Sequence, residues 1–101
     1  MQAYRINAFD TPPVLESVNC PKPAPHEVKV RIRACGLNFA DLLLQKGTYQ
    51  DTPALPFTPG LEIAGEVTEC GSEVTRLAVG DRIAVFSGQG GLAQEGVFDA
   101  A

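Results

Sequence analysis

The chain has 101 residues, of which 45% are hydrophobic and 20% are charged, a composition typical of one globular domain and not of a disordered segment. Its net charge is −4 and its basic residues are dispersed, which excludes a nucleic-acid backbone as a partner. No segment approaches the roughly 20 apolar residues of a membrane helix, and the N-terminus lacks a secretion signal. These features predict a cytoplasmic protein without a membrane partner.

Short apolar segments between prolines and glycines predict a fold made mostly of strands. In chain order, the predicted strands are residues 1–9, 14–20, 28–34, 61–70, 82–86 and 92–98. One short helix is predicted over residues 39–45, where Lys46 and Gly47 end it. Many short strands with a single helix indicate a small, largely antiparallel barrel.

The strand at 28–34 has the clearest pattern in the chain. Apolar residues alternate there with cations at a period of two: Val28, Val30, Ile32 and Ala34 against Lys29, Arg31 and Arg33. This alternation predicts one apolar face toward a core and one charged face toward solvent.

Residues 88–93 (GQGGLA) match the letters of the dinucleotide fingerprint G-x-G-x-x-G/A. That fingerprint requires a following helix to meet the pyrophosphate and an acidic residue about twenty positions later for the ribose. The residues after Ala93 are interrupted by Gly96 and are poor in helix signals. We therefore interpret this segment as a tight connection between two strands.

Three cysteines, Cys20, Cys35 and Cys70, are too few and too widely spaced for a disulfide framework or a zinc knuckle. They are predicted to be buried, reduced thiols.

Asn38 and Asp41 stand where the strand at 28–34 gives way to the helix. Asn38 is well placed as the N-cap, and Asp41, three residues later, lies in the first turn near the positive end of the helix dipole. From the residues alone, the pair is explained as a helix cap.

Three segments in this order carry a resemblance: 34–49 (ACGLNFADLLLQKGTY), 55–65 (LPFTPGLEIAG) and 79–85 (VGDRIAV). Together they resemble the N-terminal GroES-like catalytic domain of the medium-chain dehydrogenase/reductase superfamily. The most similar branch is the zinc-independent NADPH:quinone oxidoreductases, the zeta-crystallin-like proteins. The resemblance runs from Tyr4 to about Val97 and implies a GroES-like partial antiparallel barrel.

The resemblance also bears on metal use. Zinc-dependent members hold the metal with a Cys after the glycine of the first motif and with the His of a Gly-His-Glu motif. The corresponding positions here are Asn38 and Leu61, which are not zinc ligands, and the single histidine, His26, lies elsewhere. The resemblance therefore implies hydride transfer without zinc from NADPH to a quinone or an activated enone.

The resemblance implies three catalytic residues. Asn38 would contact the nicotinamide end of the cofactor or the substrate carbonyl, Asp41 would orient neighbouring polar groups, and Tyr49 would line the pocket. Glu62 matches a glutamate beside the lost metal, with either a structural or a functional role. Phe39 would wall the cleft, although an aromatic residue at a helix start is more often part of the core.

Members of this superfamily carry a Rossmann domain after the GroES-like domain and are roughly three times as long. The resemblance thus predicts that residues 1–101 form an incomplete GroES-like domain of a longer enzyme, without the Rossmann domain. Such a fragment would be inactive alone, and its exposed surface would favour a homo-oligomer. The alternatives are a non-catalytic relative, an enoyl-reductase-type relative or a GroES-like binding module.

Overall fold

The computed structural model describes residues 1–100, which form six strands and one helix. In chain order these are β1 (Gln2–Arg5), β2 (Val14–Ser17), β3 (Glu27–Gly36), α1 (Phe39–Lys46), β4 (Glu62–Cys70), β5 (Arg82–Phe86) and β6 (Glu95–Asp99). Every strand pair is antiparallel. The prediction of a mostly β, antiparallel fold with one short helix is confirmed.

The strands form two sheets that close toward each other. β1 and β2 make a two-stranded sheet, and the other strands make a four-stranded sheet in the order β5-β4-β3-β6. Isolated bridges join Ala3 to Ala93 and Ile6 to Phe57, so β1 is tied to the segments that precede β6 and β4. This closure produces the partial barrel that the resemblance implied.

Three strands are shorter than predicted by two residues or more. β1 ends at Arg5 instead of Phe9, since Ile6 leaves the ladder to bridge with Phe57 and the chain then turns, with Asp10 at φ 58°. β2 stops at Ser17. β6 begins only at Glu95, because residues 92 and 93 bond to β1.

The alternation predicted for β3 is interrupted by a bulge. Val28 and Val30 are buried as predicted, but the register with β4 shifts between Ile32 and Ala34, which leaves Arg33 without a partner residue in β4. A bulge exchanges the two faces of a strand. Ala34 is consequently exposed and Cys35 turns toward the interior, so the predicted placement of Ala34 on the apolar face was wrong.

The buried side chains fall into two groups. The sheet cluster consists of Val28, Val30, Ile63, Val67 and Phe98. The helix cluster consists of Ile6, Leu44, Phe57 and Leu61, with Ala40 and Tyr49 packed against it. The first group fills the four-stranded sheet, and the second fixes α1 against the loop that precedes β4.

Local signals explain both ends of α1. Asn38 has extended backbone angles (φ −129°, ψ 163°) as the N-cap, and Gly47 ends the helix in the left-handed region at φ 74°. The Gly47 N–H donates to the Leu44 carbonyl at 3.1 Å, which satisfies an end carbonyl. Within residues 1–100, no helix is long and apolar enough to span a bilayer.

Candidate functional site

Three strand ends meet at one edge of the four-stranded sheet. Gly36, the last residue of β3, pairs with Glu62, the first residue of β4, and Glu62 pairs with Phe86, the last residue of β5. The loops beyond these residues therefore emerge side by side. We call this region the site edge: Gly36–Asn38, Gly60–Glu62 and Phe86–Ser87. It contains residues of the first two segments that carried the resemblance, and the third segment, residues 79–85, leads directly into Phe86.

Asp41 joins two of these loops through its carboxylate. Oδ2 accepts the Asn38 N–H at 2.9 Å, and Oδ1 accepts the Gly60 N–H at 3.1 Å. Asp41 is half-buried, where hydrogen bonds to an ionised acceptor are stronger than neutral ones. The cap position predicted for Asn38 and Asp41 is confirmed. The bond to Gly60 adds a long-range link from α1 to the start of β4.

Gly60 sits where only a glycine fits. Its φ is +107°, and a Cβ on it would lie 2.8 Å from the Cys35 Sγ and 2.8 Å from the Leu92 N. A Cβ on Gly91 would lie 2.6 Å from the same sulfur. The Cys35 side chain is therefore packed between the loop before β4 and the glycine-rich segment.

The glycine-rich segment is a connection between β5 and β6, as predicted. The Gly90 N–H donates to the Thr58 carbonyl at 2.7 Å, and the Gly91 N–H donates to the Gly60 carbonyl at 3.0 Å. The next regular element is the strand β6, not a helix. These amide groups are used to hold two loops together, so the segment does not form a dinucleotide turn.

The helix cluster connects the site edge to Tyr49, because Leu61 belongs to both the edge and the cluster. Leu61 is 3% exposed within the helix cluster, and the half-buried Tyr49 packs against that cluster. Glu62 is exposed at the start of β4. The structure thus places Asn38, Asp41 and Glu62 at or beside one edge, and Tyr49 beside the cluster that contains Leu61.

Large apolar side chains project into solvent around the site edge. Leu37 and Phe39 are each 73% exposed, and Phe86 is 78% exposed. The core position considered for Phe39 is therefore wrong, because the first turn of α1 presents this ring to solvent. Sequence reasoning did not single out Phe86. The available signal was the alternation of β5. Phe86 lies on the same face as Arg82 and Ala84, opposite to Ile83 and Val85, which predicts an exposed ring.

The three cysteines are free thiols, but each is half-buried and not fully buried as predicted. Burial raises the pKa of the Cys35 thiol, and the carboxylates of Asp41 and Glu62 raise that pKa further. A thiol with a raised pKa stays protonated at neutral pH and is a poor nucleophile. The Cys35 side chain is therefore better suited to packing than to acting as a nucleophile.

Within residues 1–100, no three His, Cys, Asp or Glu side chains are grouped so that they could hold a metal ion. The carboxamide of Asn38 and the hydrocarbon of Leu61 occupy the two positions that the resemblance assigned to zinc ligands. His26 lies away from the site edge. Its Nδ1 is 3.0 Å from Glu73 Oε2.

Comparisons with known proteins agree with this architecture. The family described as "Alcohol dehydrogenase GroES-like domain" matches residues 24–100. The chain is 46% identical over 89 residues to quinone oxidoreductase-like protein 2 of Bos taurus, covering 87% of this chain and 25% of that protein. It is 47% identical over 70 residues to the human synaptic vesicle membrane protein VAT-1 homolog, covering 69% of this chain and 18% of that one.

Among solved structures, the quinone oxidoreductase of Escherichia coli complexed with NADPH superposes with a TM-score of 0.91 at 27% identity, over 99% of this chain and 31% of that one. The chain therefore spans about a quarter of the length of the bovine relative and about a third of the E. coli structure. Since the family match covers most of the sequence and the same barrel recurs in the solved relative, the chain belongs to the GroES-like domain family of the alcohol dehydrogenases.

Proposed function

We propose that this chain is the substrate-side domain of an NADPH-dependent quinone oxidoreductase, in which hydride passes to a quinone or an activated enone. The observation that carries the proposal is the site edge, where the Asp41 carboxylate links Asn38 to Gly60 and so fixes the loops of two motifs against each other. The bovine and E. coli relatives, both named as quinone oxidoreductases or their like, support this reaction class.

The proposed reaction does not use zinc. Catalytic zinc requires at least three protein ligands drawn from Cys, His and carboxylates. Asn38 offers a neutral amide, and Leu61 offers a hydrocarbon that is already buried among Ile6, Leu44 and Phe57. Because neither Asn38 nor Leu61 can bind zinc, we propose that hydride transfer is independent of a metal.

NADPH would supply the hydride, and this chain fits only its nicotinamide end. Asn38 is the residue proposed to hold that end or the substrate carbonyl by hydrogen bonding. The pyrophosphate would need a glycine turn followed by a helix, whereas residues 88–93 connect two strands. A Rossmann domain outside residues 1–101 would hold the rest, so we propose that the chain alone binds NADPH weakly and is inactive.

The other site residues have distinct proposed roles. Asp41 is a positioning residue, because both of its carboxylate oxygens are occupied by main-chain N–H groups. Tyr49 would line the pocket above the helix cluster. Leu37, Phe39 and Phe86 would exclude water from the transfer, which strengthens the hydrogen bonds made inside.

A chimera tests this function. The chain replaces the matching third of the E. coli quinone oxidoreductase, and oxidation of NADPH by 1,4-benzoquinone is followed at fixed enzyme concentration. We expect turnover, and we expect Asn38→Ala to lower kcat by about tenfold or more, while Asn19→Ala, at an exposed position, leaves it unchanged. Equal rates for the two variants would contradict the role of Asn38.

The same chimera separates the alternatives. Turnover of an enoyl thioester without turnover of the quinone would favour an enoyl-reductase-type relative. A folded chimera that turns over neither substrate would favour a non-catalytic or GroES-like binding module, to which the similarity to the VAT-1 homolog gives some support.

We also propose that the protein is cytoplasmic and self-associates. The apolar side chains exposed around the site edge support self-association, because contiguous apolar surface favours burial against another protein surface.

A further inference from the structure

The glycine-rich segment holds the loop before β4 with three consecutive amides. The N–H groups of residues 90–92 all donate to carbonyls of residues 58–60, at distances of 2.7 to 3.0 Å. Residues 58–60 are buried, where a broken hydrogen bond is not replaced by one to water. The segment is itself tied to β1, since the Tyr4 N–H donates to the Leu92 carbonyl at 2.9 Å. The loop is therefore anchored to the barrel through the glycine-rich segment.

Gly60 connects this anchor to Asn38. The Gly60 carbonyl accepts the Gly91 N–H at 3.0 Å, and the Gly60 N–H donates to Asp41 Oδ1 at 3.1 Å. The other carboxylate oxygen of Asp41 accepts the Asn38 N–H at 2.9 Å. A continuous series of three hydrogen bonds thus runs from Gly91 to the main chain of Asn38. A shift of Gly60 must either break one of these bonds or move Asn38 with it.

Gly91 fits its place because it has no side chain. A Cβ on it would lie 2.6 Å from Cys35 Sγ and 3.0 Å from both the Gly60 carbonyl oxygen and Ile63 Cγ1. Gly91 is buried, so an added methyl group has no solvent to turn to. Since Cys35 and Ile63 are paired in the sheet, the loop at Gly60 is the part that would yield to overpacking.

Gly88 belongs to the same segment and lacks this constraint. It is exposed, and a Cβ on it would meet nothing within 4 Å. Gly88 and Gly91 both have φ outside the left-handed region, so alanine carries a similar backbone cost at either position. The two glycines therefore differ in the space around them, and only a methyl group at Gly91 would press on the loop.

We propose that Gly91 is a positioning residue for Asn38. Its N–H and its lack of a side chain fix Gly60, and the Asp41 carboxylate passes the position of Gly60 on to Asn38. The proposal rests on the proposed function only in assigning Asn38 to the nicotinamide or the substrate carbonyl. The link from Gly91 to Asn38 depends on contacts within the chain, so it can be tested without any turnover.

Native-state hydrogen exchange of the unaltered chain is the first test. If Gly60 cannot move without Asn38, one opening frees the amides of Asn38, Gly60 and Gly91 together. Their protection factors should then agree within about threefold at each of several urea concentrations. Much weaker protection of Gly91 or Gly60 than of Asn38 would show that the loop opens while Asn38 stays in place, and it would overturn the proposal.

Gly91→Ala is then compared with the matched control Gly88→Ala. The Asn38 amide should lose about tenfold protection or more in Gly91→Ala. That loss should exceed the loss at the Val67 amide, which donates to the Asp81 carbonyl beside the sheet and reports global unfolding. Gly88→Ala should leave both amides unchanged. Equal losses at Asn38 and Val67 in Gly91→Ala would mean general destabilisation and would overturn the positioning role.

The quinone oxidoreductase chimera connects this link to the reaction. Gly91→Ala should lower kcat by about tenfold, and Gly88→Ala should leave it unchanged. Asn38→Ala combined with Gly91→Ala should be no slower than Asn38→Ala alone, because both substitutions affect one interaction. Additive losses would overturn the action of Gly91 through Asn38. An inactive chimera, with the three amides still exchanging together, would contradict the proposed function while supporting the link from Gly91 to Asn38.

Discussion

The sheet cluster and the helix cluster are assembled in different ways. The sheet cluster draws its residues from three adjacent strands, β3, β4 and β6, whose register aligns them. The helix cluster collects its residues from three segments: the chain after β1, the helix α1, and the loop before β4, which supplies both Phe57 and Leu61. Ile6 and Phe57 are joined by N–H···O bonds in both directions, at 2.8 and 3.2 Å.

The helix cluster contributes a residue to the site edge itself. It contains Leu61, which follows the Asp41-bonded Gly60, and Tyr49 packs against it. The sheet therefore provides stability and a frame, whereas loop contacts and the short helix set the positions of the functional side chains. Damage to either cluster should destabilise the protein, but only damage to the helix cluster should disturb the packing of Tyr49.

Leu44→Ala and Ile63→Ala test this division with the largest effect. Both side chains are nearly inaccessible, so each truncation should lower the free energy of unfolding by about 3 kcal/mol, measured with urea. In a Tyr4→Phe background, Tyr49 is the remaining tyrosine. Its native-state fluorescence should change in Leu44→Ala and not in Ile63→Ala. Equal changes would contradict the division.

Gly60→Ala and Gly80→Ala compare two glycines with similar positive φ, +107° and +97°. A Cβ at Gly80 meets nothing within 4 Å, whereas one at Gly60 meets Cys35 and two main-chain atoms. We expect urea unfolding to show a loss of about 1 kcal/mol for Gly80→Ala from backbone strain alone. The loss for Gly60→Ala should be about 2.5 kcal/mol, since overpacking adds to that strain. Similar losses of unfolding free energy in the two variants would show that the loops around Gly60 move apart to accommodate the added methyl group.

Asp41→Ala should lower stability by about 2 kcal/mol, because two main-chain N–H groups lose an ionised acceptor. The exposed Asp81, whose Oδ2 accepts one N–H from Ala78 at 2.9 Å, provides the matched control. Asp81→Ala should cost less. Hydrogen exchange at the Gly60 amide should accelerate in Asp41→Ala only, and an unchanged Gly60 amide would contradict the bridging role.

The smallest expected effect concerns the Cys35 thiol. Its pKa is raised by burial and by the Asp41 and Glu62 carboxylates. Alkylation by iodoacetamide requires the thiolate. The alkylation rate of Cys35 should therefore rise at a higher pH than that of an exposed thiol. Glu62→Gln removes one negative charge, lowers the pKa and should shift the profile to lower pH. Peptide mass spectrometry separates Cys35 from Cys20 and Cys70. A shift to higher pH in Glu62→Gln would contradict this electrostatic account.

The same raised pKa affects stability at alkaline pH. The folded chain retains the Cys35 proton at a pH where the unfolded chain releases it, so the native state binds more protons there. The contribution of this group to stability should therefore fall as pH rises above the ordinary thiol range, and it should be unchanged below that range.

Local patterns were sufficient to predict most of the secondary structure. Strict alternation identified β3, and the Asn38 cap with Gly47 identified α1 to within one residue. The bulge at Arg33 was not predictable, because it depends on the register with β4. The exposure of Phe39 likewise depends on which face of α1 meets the helix cluster.

The site was less predictable than the fold. Asn38 and Asp41 could be assigned to a cap from their spacing, but the bond from Asp41 to Gly60 spans nineteen residues and has no local signal. The packing of Cys35 between Gly60 and Gly91 depends on two loops meeting. Such contacts are set by the tertiary fold and cannot be predicted from the spacing of residues in the sequence.

The most direct test of metal-free hydride transfer at the site edge is the rate of NADPH oxidation by the quinone oxidoreductase chimera before and after treatment with 1,10-phenanthroline, with zinc content measured on the same samples. We expect an unchanged rate and zinc well below one ion per chain. A rate that falls with the chelator and returns on addition of zinc would contradict it.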